Sequence, residues 1–249
     1  MQIIQNKSIG ILLGVSALSG ILLLEYAFFK TRRHRKIDEL RDGAWPLARR
    51  NDVHLWARWK FYPGAMLLLP LRITLLVTTL LIGAVLIPTL CMCHSFQKKP
   101  LTGCRKWVIV QLIRIGTRLL LTLCGVICSK NEVDFDYSHY LGNGYKTDTP
   151  CSAYVANHVS WVDALIMYKY LEPSYASAWG VKELPLFSSV AYALDCIFMP
   201  RGKGEAQRDE AVRLMGDRQK ATQEDNKVKP LLVFPEGGVS NGVGIMKFK

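Results

Sequence analysis

The sequence predicts an α/β fold: a mixed, mostly parallel sheet covered by helices, preceded by N-terminal membrane helices. Three observations carry this reading. Half of the 249 residues are apolar, a high share for a soluble protein, and the excess lies before residue 130 in two long runs. From Cys151 onward, short apolar runs alternate with longer helix-period segments, as strands do when helices join them. Polar motifs also follow three of the strand-like runs directly, which suits a sheet whose site gathers at its strand ends.

Taken in order, residues 1–30 read as a membrane anchor, 31–64 as a basic cytosolic linker, 65–130 as a second membrane-associated segment with an amphipathic helix, and 131–249 as the folded domain. The run from Ile9 to Phe29 is interrupted by Glu25 and a few small polar residues, and about 20 apolar residues span a bilayer. Lys7 ahead of it and Ser16, Ala17 and Ser19 within it give it some look of a signal peptide. It continues through Leu24 to Phe29, which favours an uncleaved anchor. Lys30, Arg32, Arg33, Arg35 and Lys36 follow at once and place that end in the cytosol.

The second run, Ala65 to Met92, contains Pro70, Arg72 and Pro88, with Arg58 and Lys60 before it and Lys98 and Lys99 after it. Positive charge on both flanks predicts entry and exit by the cytosolic face, as a helix broken near a proline. Between Trp107 and Cys128, Gln111, Arg114 and Arg118 stand opposite Val108, Leu112, Ile115 and Leu119. That spacing suits a helix lying in the membrane interface or an ordinary core helix of the following domain.

The net charge of +12 fits an anionic membrane surface or anionic substrates. Apolar runs beside the basic clusters favour the membrane over nucleic acid, and no nucleic-acid partner is expected. Seven cysteines form no disulfide framework. Cys91, Cys93, His94 and Cys104 are zinc-ligand types at a spacing that matches no zinc pattern. Burial or reversible palmitoylation accounts for them better, and no metal is expected.

In the folded domain, strands are predicted at Cys151–Ala156, Tyr175–Trp179, Cys196–Met199 and Leu231–Phe234, with helices at Trp161–Leu171, Glu183–Leu194 and Gly204–Gln223. After the first strand comes Asn157-His158-Val159-Ser160-Trp161-Val162-Asp163. His158 is a candidate general base for a hydroxyl, which is a poor nucleophile at neutral pH. Asp163 can fix the imidazole tautomer and stabilise the imidazolium. Ser160 and Asp163 also resemble a helix capping box, and a His followed five residues later by Asp arises by chance in roughly one such sequence in four.

After the last strand comes Phe234-Pro235-Glu236-Gly237-Gly238-Val239-Ser240, whose first four residues arise by chance in roughly one sequence in a thousand. Its glycines let backbone N–H groups approach an anionic substrate, and Glu236 can fix a substrate hydroxyl or a donor group. The strand ending in Met199-Pro200-Arg201 delivers a guanidinium suited to bidentate phosphate recognition.

The order and spacing of these motifs resemble the glycerolipid acyltransferase family, which acts on lysophosphatidic acid and lysophospholipids. The resemblance covers roughly residues 150–249 and includes Lys182-Glu183-Leu184. The proline-containing apolar segment ahead of the domain is similar to the lysophosphatidylcholine and lysophosphatidylethanolamine acyltransferase branch. The resemblance implies that His158 and Asp163 are catalytic and that Asn157, Arg201, Glu236, Gly237 and Gly238 bind substrate. It further implies acyl-CoA as co-substrate without a cofactor, a lysophospholipid acceptor, and an endoplasmic-reticulum membrane protein with its catalytic domain in the cytosol. The family often has glycine where Asp195 stands and threonine where Gly238 stands.

Two other functions remain open at this point: a catalytically silent lipid-binding adaptor, and a thioesterase or hydrolase. The ending Met246-Lys247-Phe248-Lys249 resembles the start of a longer family segment, so the domain is expected to continue past residue 249.

Overall fold

The computed structural model describes residues 2–36, 38–48, 52–92, 94, 96, 101–130, 136, 138–142, 151–199 and 204–248. The chain divides into two compact units: Met1–Leu81 with His158–Trp161 and Glu236–Lys249, and Ile82–Asn157 with Val162–Pro235.

In the first unit, helix α1 covers Gln2–Arg35. At 1.5 Å per residue it is about 51 Å long, well beyond a hydrocarbon core of about 30 Å. Neither Gly nor Pro occurs between Phe29 and Lys36, so the basic cluster extends the anchor helix. Arg32, Arg33, His34 and Arg35 form its last turn, where positive charge complements the helix dipole. Arg41, in helix α2 (Glu39–Ala44), caps that end by donating to the Arg33 and Lys36 carbonyls at 3.2 and 2.9 Å. The Asp38 side chain caps α2 in turn, accepting from the Arg41 N–H at 3.1 Å. A 3₁₀ turn follows at Pro46–Ala48.

Helix α3 (Tyr62–Leu67) ends one residue before α4 (Leu69–Cys91). The predicted break therefore falls at Leu68; Pro70 sits near the start of α4, where a missing N–H is harmless, and Pro88 is carried inside it. α3 packs against α1 through small residues. Gly20 is buried, and a Cβ there would collide with the carbonyl of Ala65, itself 4% exposed. Phe28 and Phe61 meet edge to face. Beside them Glu25, the one acidic residue of the first apolar run, accepts from Tyr62 Oη at 2.6 Å and Arg58 Nη1 at 3.1 Å. The windows Ser8–Arg35 and Leu69–Cys91 are long and apolar enough to cross a membrane.

In the second unit, the end of α4 leads to α5 (Gly103–Leu123) and the short α6 (Ser138–Leu141). The sheet then builds in alternation: β1 (Ala153–Val155), α7 (Val162–Leu171), β2 (Ser174–Ala178), α8 (Pro185–Ala193), β3 (Ile197–Met199), α9 (Glu205–Glu224) and β4 (Leu231–Val233). Strand order is β1-β4-β2-β3. Each ladder among the described residues is parallel, so the expected mixed, mostly parallel sheet is parallel throughout this part. The core joins Ile87 and Cys91 of α4, Leu101 just ahead of α5, Ile109 and Ile113 of α5, Tyr168 of α7 and Ala193 of α8. Cys91 is thus a packing residue and Cys104 is exposed; Cys93 lies outside the described residues.

α5 is a core helix. Its buried face is Ile109, Ile113, Thr117 and Leu121, whereas Ile115 and Leu119 are 56% and 46% exposed. The apolar stripe expected at Val108, Leu112, Ile115 and Leu119 is therefore rotated by about one residue, with the hydroxyl of Thr117 on the inside. Two basic residues of α5 hold the corners where helices turn into strands. Glu172 after α7 and Asp195 after α8 both have left-handed backbones, with φ of 45° and 54°. Arg114 grips Glu172 with two guanidinium nitrogens, the Nη2 contact at 2.6 Å, and Lys106 pairs with Asp195. The hydrogen bonds from Arg114 hold the Glu172 carboxyl below its usual range. Burial pushes the nearby Tyr168 hydroxyl up to about 12 and the Cys196 thiol up to about 11.

Candidate active site

The topology explains how residues far apart in sequence come together. β1 and β4 are parallel neighbours with Val155 paired to Val233. His158 and Glu236 each follow their paired valine by three residues, so both loops leave adjacent strands at the same end. The Ala156 N–H still extends the ladder, donating to the Val233 carbonyl at 3.2 Å.

Within the first unit, one loop holds the backbone of His158 on both sides. The His158 N–H donates to Glu236 Oε1 at 3.4 Å, and the His158 carbonyl accepts the Ser240 N–H at 2.8 Å. Glu236 is 1% exposed, and its second oxygen accepts the Met246 N–H at 3.4 Å. Both carboxylate oxygens thus face backbone N–H groups. Gly237 turns the chain at φ 62°, a conformation that glycine adopts without steric cost. A Cβ at Gly238 would lie 3.6 Å from Met246 Cε, an ordinary contact distance, so this position has room for the side chain the family often carries there.

The loop continues into contacts that the motifs did not signal. Ser240 is buried, and its Oγ accepts the Gly242 N–H at 3.3 Å. The Asn241 N–H donates to the Leu47 carbonyl at 2.6 Å and its side-chain amide to the Pro46 carbonyl at 3.2 Å. The 3₁₀ turn of the basic linker is therefore a neighbour of the His158 loop. No short-range pattern marks a contact between residues so distant in sequence.

The remaining candidates belong to the second unit or lie outside the described residues. Asp163 is half-buried in the first turn of α7, in the second unit, and exposed Asn157 is the last residue before His158 in that unit. Arg201 lies outside the described residues. Lys182, from the Lys-Glu-Leu motif, stacks its ammonium over the Trp179 ring at 3.7 Å and the Phe198 ring at 5.0 Å. Among the described residues, no group of three or more His, Cys, Asp or Glu could hold a metal.

A family model described as Acyltransferase matches residues 148–249. The chain is 25% identical over 166 residues to the lysophospholipid acyltransferase LPEAT1 of Arabidopsis thaliana, covering 59% of this chain and 40% of that protein. It is 30% identical over 95 residues to the lyso-ornithine lipid O-acyltransferase of Pseudomonas aeruginosa, covering 38% and 34%. It is 25% identical over 194 residues to the lysophosphatidylcholine acyltransferase of Drosophila melanogaster, covering 76% and 34%. The chain spans between about a third and two-fifths of the length of these relatives. No solved structure matches it. The matched segment contains the His158 loop, the Glu236 turn and the parallel sheet, and over these residues the chain is similar to the acyltransferase family.

Proposed function

We propose that the protein transfers a fatty acyl group from acyl-CoA to the free hydroxyl of a lysophospholipid or of a related glycerol phosphate. The observation that carries this reading is the seating of His158 on the Phe-Pro-Glu-Gly turn, inside the segment that the Acyltransferase family model matches. The similarity to acyltransferases of lysophospholipids, lyso-ornithine lipid and lysophosphatidylcholine supports the acceptor class.

In this mechanism His158 removes the proton of the acceptor hydroxyl as its oxygen attacks the thioester carbonyl. An oxygen–carbon bond forms, the carbon–sulfur bond breaks, and the proton held on His158 passes to the departing coenzyme A thiolate. Asp163 orients the imidazole and stabilises its charged form. Arg201 binds the acceptor phosphate, and Asn157, Gly237 and Gly238 present backbone and amide groups to the polar end of the acceptor. The thioester supplies a good leaving group, so neither a covalent acyl-enzyme nor a cofactor takes part.

The enzyme sits in the endoplasmic-reticulum membrane with its catalytic domain in the cytosol, where acyl-CoA and an amphipathic acceptor meet at the bilayer surface. Its basic residues favour an anionic leaflet. The test is incubation of membranes containing the protein with labelled acyl-CoA and a panel of lysolipids. Labelled phospholipid supports the proposal; labelled free fatty acid would make the protein a thioesterase, and no product would leave a lipid-binding adaptor.

A further inference from the structure

Glu236 is 1% exposed, and its two oxygens accept the backbone N–H groups of His158 and Met246. The same turn donates the Ser240 N–H to the His158 carbonyl. Both peptide groups of His158 are therefore held by one short segment, Glu236–Ser240. A carboxylate this buried, with a backbone N–H facing each oxygen, offers almost no surface to a ligand.

We infer that Glu236 is a positioning residue: it fixes the peptide backbone of His158, and so the ring's location, instead of contacting the acceptor. The inference rests on the proposed role of His158 as base for its kinetic consequence, but its structural content is independent of that role. A loop residue free to rotate about its N–Cα and Cα–C bonds carries its side chain through several ångströms, and misplacement of a base by about 1 Å costs on the order of 10²-fold in rate. The clamp removes this freedom at the two bonds that matter. It also links His158 to the segment reaching Met246, so the stretch after the glycines supports the site although it bears none of its motifs.

A carboxylate is needed because both of its oxygens are acceptors. In Glu236→Gln one acceptor becomes an amide donor, which faces a backbone N–H and repels it. Glu236→Asp keeps two acceptors on a shorter stem and restores part of the clamp.

The test compares wild type, Glu236→Gln and Glu236→Asp in the full chain in detergent micelles, first by amide hydrogen exchange and then by steady-state kinetics. Exchange at the amides of His158 and Met246 is expected to accelerate about 10-fold or more in Glu236→Gln and less in Glu236→Asp, while the β2 and β4 amides change less than about twofold. Unchanged protection at His158 with an intact sheet overturns the inference whether or not the protein transfers acyl groups. In the kinetic arm, kcat falls on the order of 10²-fold in Glu236→Gln with the acceptor KM nearly constant, and Glu236→Asp recovers part of it. A rise in acceptor KM at unchanged kcat makes Glu236 an acceptor ligand and overturns the inference. An inactive wild type overturns the proposed activity instead, and leaves the exchange result to decide the clamp.

Discussion

Lys106 pairs with Asp195, a residue whose φ of 54° belongs to the left-handed region. Non-glycine residues adopt this conformation at a cost of about 1 kcal/mol, and a partly exposed ion pair returns a similar amount or less. Asp195→Gly removes the strain and the pair together and should leave stability within about 1 kcal/mol of wild type. Asp195→Ala keeps the strain and loses the pair, so its thermal midpoint in detergent should fall below that of Asp195→Gly. The reverse order would mean that the corner is held by packing alone.

The Arg114–Glu172 pair sets an acid limit on stability. Hydrogen bonds from Arg114 lower the folded-state pKa of Glu172 below its unfolded value. The stabilisation is therefore fully present above the unfolded pKa and is lost as pH falls through the folded one. Unfolding of the Glu172→Gln variant should consequently depend less steeply on pH below about 4.5. At neutral pH it should be less stable by about 1 kcal/mol. Parallel wild-type and variant curves across that range would show that Glu172 is not a linked group.

His158→Ala should reduce acyl transfer by about 10²–10⁴-fold, the usual contribution of a general base, without changing the thermal midpoint. Asp163→Asn should retain a small part of the wild-type rate. The readout is labelled phospholipid formed by isolated membranes. Most of the turnover surviving in His158→Ala would refute the mechanism.

Close approach at Gly20 predicts that a larger residue separates α1 from α3. Gly20→Leu should weaken their packing by about 1–3 kcal/mol, the range for overpacking a closed contact. Cysteines placed at Glu25 and Tyr62, whose side chains touch in the wild type, should be joined by a short thiol cross-linker when Gly20 is present. The yield should collapse in Gly20→Leu. Equal yields would show that the two helices are held apart from this contact.

Orientation can be read with engineered glycosylation acceptors. Sites placed in the linker and after residue 130 should both remain unmodified in a eukaryotic host, because positive charge flanks the second apolar run on both sides. Modification of the later site alone would mean that α4 crosses the bilayer once.

The strands and helices of the catalytic domain were legible because each is a short run bounded by polar or turn residues; β3, expected from Cys196, begins at Ile197. The meeting of His158 with Glu236 was legible only as two strand-end motifs, since it depends on β4 entering the sheet beside β1. Asn241 and Pro46 carried no signal, because a backbone carbonyl as acceptor leaves no trace in residue type. The stripe on α5 is displaced because the buried face runs through Thr117, a polar residue that apolar spacing does not mark. Gly237 was read as an opening for substrate, and its positive φ adds a demand of the turn itself.

The insertion of β4 between β1 and β2 has a consequence for biogenesis. As the chain leaves the ribosome, β2 and β3 can pair early, but among the described residues β1 has no strand neighbour until Leu231–Val233 has emerged. Until then the facing edges of β1 and β2 are open to other chains, a state that invites chaperone binding. The backbone clamp on His158 comes from the residues immediately after β4, so His158 acquires its support only when that last strand docks. A nascent chain halted before residue 231 would already carry the histidine and aspartate, yet would be catalytically mute.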